Sequence, residues 1–269
     1  MTVILLIMRS NSQISNKGND MNEINIISSD ARYVALNDIF LEHGYKSRVC
    51  TFDEVQGADI LILPIKSALA DEDFSRIFRG IEKRTLVFSG EINRVKKYFD
   101  GKIIDYSNNE WFLEKNAYIT AECALSIALK DLQKTISDSK CAIVGYGRIG
   151  KHLAKLLKSL SAFVTVVARR EESRQHALSL GYESAEITDF LMNDFDVIFN
   201  TVPTNVITKN MSDKIPKRTL VYDLASMPGG FEDEKFPIRA LGLPGKMMPI
   251  SAAEAIFDFV ESYISIESE

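Results

Sequence analysis

Short apolar runs alternate with stretches of helical period along most of this chain. INIISS (Ile24–Ser29), SRVCTF, ADILILP (Ala58–Pro64), RTLVFSG (Arg84–Gly90) and KIIDYS (Lys102–Ser107) are β-rich and bounded by Gly, Pro or Ser. Helix-length gaps separate them, and the first gap reads as a helix over Ala31–Glu42, stopped by Gly44. Such an alternation predicts a parallel sheet covered by helices. A longer helix is expected over Tyr118–Ser137, where Ala121, Ala124, Leu125, Ala128 and Leu132 recur at helical spacing. The series then restarts with CAIVG, SAFVTVVA, FDVIFNTVP, RTLVYDLA and IRALGLP. The last apolar stripe, on Ser251–Ile264, has no sheet left to cover in its own half, so that helix is expected to return to the first half. The pattern predicts an α/β protein of two domains, at 21–117 and 138–250. An interdomain helix at 118–137 joins them, and a returning C-terminal segment occupies 251–269. Residues 1–20 read as a peripheral extension. Their apolar run, Val3–Met8, is too short for a bilayer and lacks a basic n-region and a cleavage site.

Composition changes this picture little. The 269 residues are 46% hydrophobic with a net charge of -5, which fits a globular chain with a real core. A mildly acidic balance points away from nucleic acid and from membrane surfaces. Cys50, Cys123 and Cys141 lie far apart, so neither a metal site nor a disulfide framework is indicated. Reduced cytoplasmic thiols are expected.

The chemistry concentrates after the second series begins. Gly145, Gly147 and Gly150 form GxGxxG between a buried-strand run, Cys141–Val144, and a helix expected over Ile149–Leu160. In that context the first glycine permits the tight turn, the second admits a pyrophosphate and the third lets helix and strand pack closely. The phosphates then rest on the helix N-terminus, so Gly145, Tyr146, Gly147, Arg148, Ile149 and Gly150 are candidate cofactor residues. An NAD site carries an Asp or Glu near the end of the second strand, about 20 residues on. Here that place reads Ala168-Arg169-Arg170, with no carboxylate before Glu171. Two guanidiniums suit a 2′-phosphate, which favours NADP over NAD, although either arginine could instead be a solvent-facing loop charge. Two further strand ends, Thr201-Val202-Pro203 and Ala225-Ser226, are expected to flank the nicotinamide ribose and ring. Asp223 either orients groups there or anchors the loop.

Taken together, SSDARY, LVFSG, GYGRIGKHLA, NTVP, YDLASMPGG and ALGLPGKMMPISA resemble the family of the A-type subunit of dipicolinate synthase, from about Ile24 to Ile264. The most specific pieces are DLASMPGG (Asp223–Gly230) and LGLPGK (Leu241–Lys246). The resemblance implies a flavodoxin-like N-terminal domain and a Rossmann-type, doubly wound nucleotide-binding domain related to that of 2-hydroxyacid dehydrogenases. It implies oxidation of a dihydrodipicolinate-type precursor from the lysine pathway to dipicolinate, with a pyridine nucleotide as acceptor. It also implies a companion B-type dipicolinate synthase subunit with a flavoprotein-like sequence. A role in spore formation follows as well, in the mother-cell cytoplasm of a bacterium. A homo-oligomer is expected. One departure stands out: Ser28-Ser29 precede Asp30-Ala31-Arg32 where the family commonly has Gly-Gly.

A ring diacid needs cations or N–H donors in the cleft. Arg32, Ser89 and Gly90 on one wall and Gly245 and Lys246 on the other are the candidates, each also readable as an ordinary loop or surface residue. No catalytic residue is assigned, because aromatisation favours the reaction without a strong base. Two other functions stay open. A D-2-hydroxyacid dehydrogenase would need a general acid/base, usually histidine, yet His43 ends the first expected helix, His152 and His176 lie in later ones, and none falls at a strand end in the C-terminal half. A regulatory subunit would bind NADP without turnover.

Overall fold

The computed structural model describes residues 23–65, 69–189 and 194–267. The extension expected over residues 1–20 lies outside them. In chain order the first half comprises β1 (Glu23–Ile27), α1 (Ala31–Glu42), β2 (Lys46–Cys50), β3 (Ile60–Ile62), α2 (Asp71–Phe78), β4 (Leu86–Ser89), α3 (Ile92–Val95) and β5 (Ile103–Asp105). Its five strands are all parallel, in the order β2-β1-β3-β4-β5. That is the 2-1-3-4-5 order of flavodoxin-like sheets. Strands β3 and β4 are buried throughout, as expected for a sheet covered on both faces.

The second half runs α4 (Glu110–Asp131), β6 (Lys140–Val144), α5 (Arg148–Ser159), β7 (Phe163–Val167), α6 (Glu171–Ser179), β8 (Glu183–Ala185), β9 (Val197–Asn200), α7 (Lys209–Ser212), β10 (Leu220–Asp223), β11 (Ile238–Arg239), α8 (Leu243–Met247) and α9 (Pro249–Glu267). Its six strands are parallel in the order β11-β10-β9-β6-β7-β8, the doubly wound Rossmann order. The chain winds outward from β6 to β8 and then reverses to β9. The β6–β9 boundary is therefore the topological switch point.

Three sequence expectations are corrected here. The helix expected over Tyr118–Ser137 spans Glu110–Asp131 instead. Asn109 caps it early by accepting the Phe112 N–H at 2.8 Å, and Leu132 leaves helical geometry at ψ 138°. Strand β8 went unread: it is three residues at a sheet edge, carries a Glu and a Ser, and has no apolar run to betray it. The apolar run IRALGLP is a strand only at Ile238–Arg239, and its Leu243-Pro244 open helix α8, with Pro near the first position, where a missing N–H costs nothing, and Gly242 ahead of it at φ +66°.

Helix α9 packs its apolar face on the first half. Phe257 meets Phe40 of α1 at 5.0 Å between ring centroids, and Phe259 meets Phe88 of β4 at 5.9 Å. Tyr106 and Phe112 complete this aromatic cluster around Phe259, at 5.4 and 5.6 Å. A C-terminal helix so placed ties the two sheets through one buried core. All three cysteines are buried, which pushes the Cys50 and Cys123 thiols up to about 11 and that of Cys141 to about 12. None is placed to act as a thiolate. Among the described residues no helix is long and apolar enough to cross a membrane, and no cluster of His, Cys, Asp or Glu could hold a metal ion.

Candidate functional site

Strand β6 ends in a turn that requires glycine twice. Gly145 sits at φ +98°, and its N–H donates to the Val167 carbonyl at 2.9 Å. A side chain there would also overlap Thr201 Oγ1. At Gly150 an added Cβ would overlap the carbonyl oxygen of Gly145. Helix α5 therefore lies against the turn as closely as a backbone allows. Gly147 differs, because a Cβ there would meet nothing within 4 Å, leaving open space before the helix. The Lys151 N–H bonds Gly147 O at 2.9 Å, so the N–H groups of Arg148, Ile149 and Gly150 precede the helix's own ladder at its positive end.

A cavity of about 380 Å³ opens at this turn, at the switch point of the sheet. It brings Gly145, Tyr146 and Gly147 together with Arg169 and Arg170 after β7 and with Val202 after β9. Ala168 and Ser173 also line it, as do the apolar side chains of Val167, Ile187 and Val206. Size and lining suit a nucleotide: an apolar slot for a base, a glycine turn for phosphates and two exposed guanidiniums at one end. Sequence reasoning missed Ser173, Ile187, Thr204 and Val206. Ser173 falls in the first turn of α6 and Thr204 directly follows NTVP, so both were within reach of the same argument. Ile187 follows the unread strand β8.

The remaining cofactor candidates stand outside the cavity lining. Arg148 turns its side chain to α4, where it forks onto Glu110 at 3.0 and 2.6 Å, so only its main chain belongs to the turn. Ile149 and Gly150 pack behind the turn, and Thr201 donates its hydroxyl to Val144 O at 3.0 Å. Pro203, Ala225 and Ser226 do not reach the lining. After β10 the buried Asp223 anchors the loop. Its carboxylate accepts Asn200 Nδ2 at 2.7 Å and the N–H groups of Ala225 and Gly230, both at 3.2 Å, and it pairs with Arg239. A Cβ at Gly229 or Gly230 would collide with Arg239 or Asn200 respectively. DLASMPGG is thus a wrapped ion pair beside the site, with its glycines set by close approach.

The diacid candidates lie at the carboxyl edge of the first sheet. Asp30 caps α1 and takes the fork of Arg32, with Nε at 2.8 Å and Nη2 at 2.9 Å. One paired face of that guanidinium, Nε with Nη2, is therefore occupied by Asp30, and Nη1 with the second N–H of Nη2 is left for any ligand. The Arg32 side chain is 11% exposed. Gly245 on α8 crosses directly over this pair: a Cβ would stand 2.5 Å from both Arg32 Nη2 and Asp30 Oδ2. Arg32 and Gly245, far apart in sequence, are thus brought together, with exposed Lys246 following. Ser89 is buried, and its hydroxyl accepts the Glu91 N–H at 3.0 Å. Gly90 is glycine because a side chain would strike the carbonyl of Ile65. The histidines stay in or beside helices. His152 meets Glu114 at 2.7 Å, His43 meets Ile39 O at 2.8 Å, and the His176 ring lies 5.8 Å from that of Tyr146.

Comparison with known proteins agrees with this geometry. Residues 113–215 match the family model described as D-isomer specific 2-hydroxyacid dehydrogenase, NAD binding domain. The chain is 26% identical to the A-type subunit of dipicolinate synthase from Bacillus subtilis, over 90% of this chain and 96% of that one. The crystal structure of the corresponding dipicolinate synthase subunit from Bacillus halodurans superposes with a TM-score of 0.75 at 25% identity, covering 90% of this chain and 97% of that one. D-lactate dehydrogenase from Escherichia coli shares the fold, with a TM-score of 0.62 at 9% identity over 91% and 97% of the two chains. The chain therefore resembles the A-type subunit of dipicolinate synthase along nine-tenths of its length, and within it residues 113–215 resemble the NAD-binding domain of D-isomer specific 2-hydroxyacid dehydrogenases.

Proposed function

We propose that this chain oxidises a dihydrodipicolinate-type ring diacid to dipicolinate with NADP⁺ as acceptor, together with a companion B-type subunit, in a spore-forming bacterium. The observation that carries the reading is the contact of Gly245 with the Asp30–Arg32 pair. It sets a cation at the carboxyl edge of the first sheet against the same half of the chain that builds the nucleotide cavity. The resemblance to the dipicolinate synthase subunit supports the substrate class.

In this reading the cofactor is held by the turn Gly145-Tyr146-Gly147, the leading N–H groups of α5, and Arg169 and Arg170. When bound, a pyridine nucleotide would supply a two-electron hydride acceptor; ring oxidation would release one hydrogen to it as hydride and a second as a proton to solvent, so no protein group would change oxidation state. The chain's own task is placement. Arg32 meets one substrate carboxylate through Nη1 while Asp30 fixes its plane, and the Gly245-Lys246 segment closes over the other side. The three histidines sit in or beside helices, against Glu114, the Ile39 carbonyl and the Tyr146 ring, which gives no support to hydroxyacid oxidation, a reaction that needs a proton acceptor at the alcohol.

Absorbance of NADPH formed from freshly made precursor, with and without the companion subunit, tests the proposal. Turnover is the expected result. No NADPH under either condition, while NADP⁺ still binds, would overturn the proposal and favour the regulatory reading. A second expectation concerns Arg32. Lys lacks the planar fork and cannot hold Asp30 and a carboxylate together. Arg32→Lys is expected to raise KM about tenfold, as loss of a charged hydrogen bond does, while NADP⁺ affinity stays at the wild-type value. An unchanged KM would remove Arg32 from the substrate site.

A further inference from the structure

The carbonyls of Ala168, Arg169 and Arg170, the three residues that follow β7, all end on one residue. Arg174 Nη1 donates to Ala168 O at 2.8 Å and to Arg169 O at 2.9 Å. The Arg174 main-chain N–H donates to Arg170 O at 3.2 Å. Its other terminal nitrogen, Nη2, pairs with Glu171 and, at 2.7 Å, with Glu186. The side chain is only 12% exposed. With both terminal nitrogens committed, Arg174 has no fork to offer a phosphate.

Glu171 is the first carboxylate after β7, the group that could reach toward a ribose diol. Arg174 holds one of its oxygens, and Gln175 Nε2 holds the other at 2.6 Å. These bonds, that of Gln175 first, keep the carboxyl below its usual range, so it stays ionised. Glu171 lies with Arg174, Gln175 and Glu186 in a separate depression, while Arg169, Arg170 and Ser173 line the nucleotide cavity.

We propose that Arg174 is the positioning residue of the 2′-phosphate site: it fixes the backbone that carries Arg169 and Arg170 and holds Glu171 out of the cavity. This rests on the NADP reading above. Without Arg174 the loop loses two carbonyl anchors and the Glu171 carboxylate is free to turn toward the cofactor. There it repels a 2′-phosphate and accepts a hydrogen bond from a 2′-hydroxyl.

The test uses 2′,5′-ADP and 5′-AMP, which differ by the 2′-phosphate alone, titrated calorimetrically against the full chain. The readout is the ratio of their affinities. In wild type 2′,5′-ADP is expected to bind far more tightly. Arg174→Met should cut the ratio at least tenfold, and Glu171→Gln added to it should recover a large part of that loss, as removal of a like charge does. Glu171→Gln alone should leave the ratio unchanged, since the carboxylate is already held away. A purely structural role for Arg174 would weaken both ligands equally, and an unchanged ratio overturns the proposal. So does a several-fold rise in the ratio with Glu171→Gln alone, a measurement that stands even if Arg174→Met does not fold. If wild type itself shows no preference for 2′,5′-ADP, the NADP reading fails and this proposal fails with it. Wild-type preference without any effect of these variants overturns the Arg174 proposal alone.

Discussion

On the proposed preference for NADP⁺, replacing Ala168 by Asp should shift cofactor choice toward NAD⁺. Ala168 directly follows β7 and lines the cavity beside Arg169, and its N–H is bonded to Ala185 O at 3.2 Å. Ala168 is buried and borders both the core and the cavity, so a carboxylate placed there is expected to turn toward the cavity and its two guanidiniums. There it opposes a 2′-phosphate and competes for the two arginines, while offering an acceptor to a ribose diol. Loss of one charge-assisted contact and gain of a like-charge neighbour amount to about 2–3 kcal/mol, or roughly a hundredfold in NADP⁺ affinity. NAD⁺ affinity should rise severalfold. Calorimetric titration of both cofactors on both proteins measures this. Equal affinities in wild type would remove the assignment of Arg169 and Arg170 to a 2′-phosphate.

The second large effect separates the glycines of the turn. Gly150→Ala should nearly abolish nucleotide binding and also lower Tm, because the new methyl overlaps the Gly145 carbonyl and stands 3.4 Å from Ile143 Cγ2. Strand β6 is central and cannot yield, so α5 must move off the turn and take its leading N–H groups with it. Overpacking of this kind costs about 1–3 kcal/mol, a fall in Tm of several degrees. Gly147→Ala should instead leave Tm within error, since its φ is -83° and its Cβ would meet nothing within 4 Å. It should still weaken NADP⁺ by an order of magnitude or more, because the methyl would occupy the space through which the phosphates approach. Thermal denaturation and titration of the two variants distinguish the roles. Equal Tm losses would mean that the open space at Gly147 serves the fold and not a ligand.

How much of this was legible beforehand depended on range. The apolar runs at Ile24, Ala58 and Cys141 needed only local burial on both faces of a sheet to be read as strands, and they were. The glycine turn was legible because its spacing, its preceding strand and its following helix are all local. Arg169-Arg170 stood out because a carboxylate was missing from a place fixed by that turn. Strand β8 escaped because a short polar edge strand exists only by pairing with β7. The start of α4 was missed although its signal is local: Asn109 caps the helix by accepting the Phe112 N–H three residues on.

Side-chain partners were not legible at all. Nothing local says that Arg148 forks onto Glu110, that Asp223 is sealed by Arg239, or that Gly245 closes over the neighbouring pair Asp30–Arg32. A charged side chain out of water takes whichever opposite charge the packing places within about 3 Å. That choice is made between segments brought together from distant parts of the chain. The sequence by itself therefore determined two parallel sheets, a dinucleotide turn and the sign of charge at its far end. Tertiary packing decided which arginines remain free to meet a ligand and which, like Arg174, are already committed to holding the others in place.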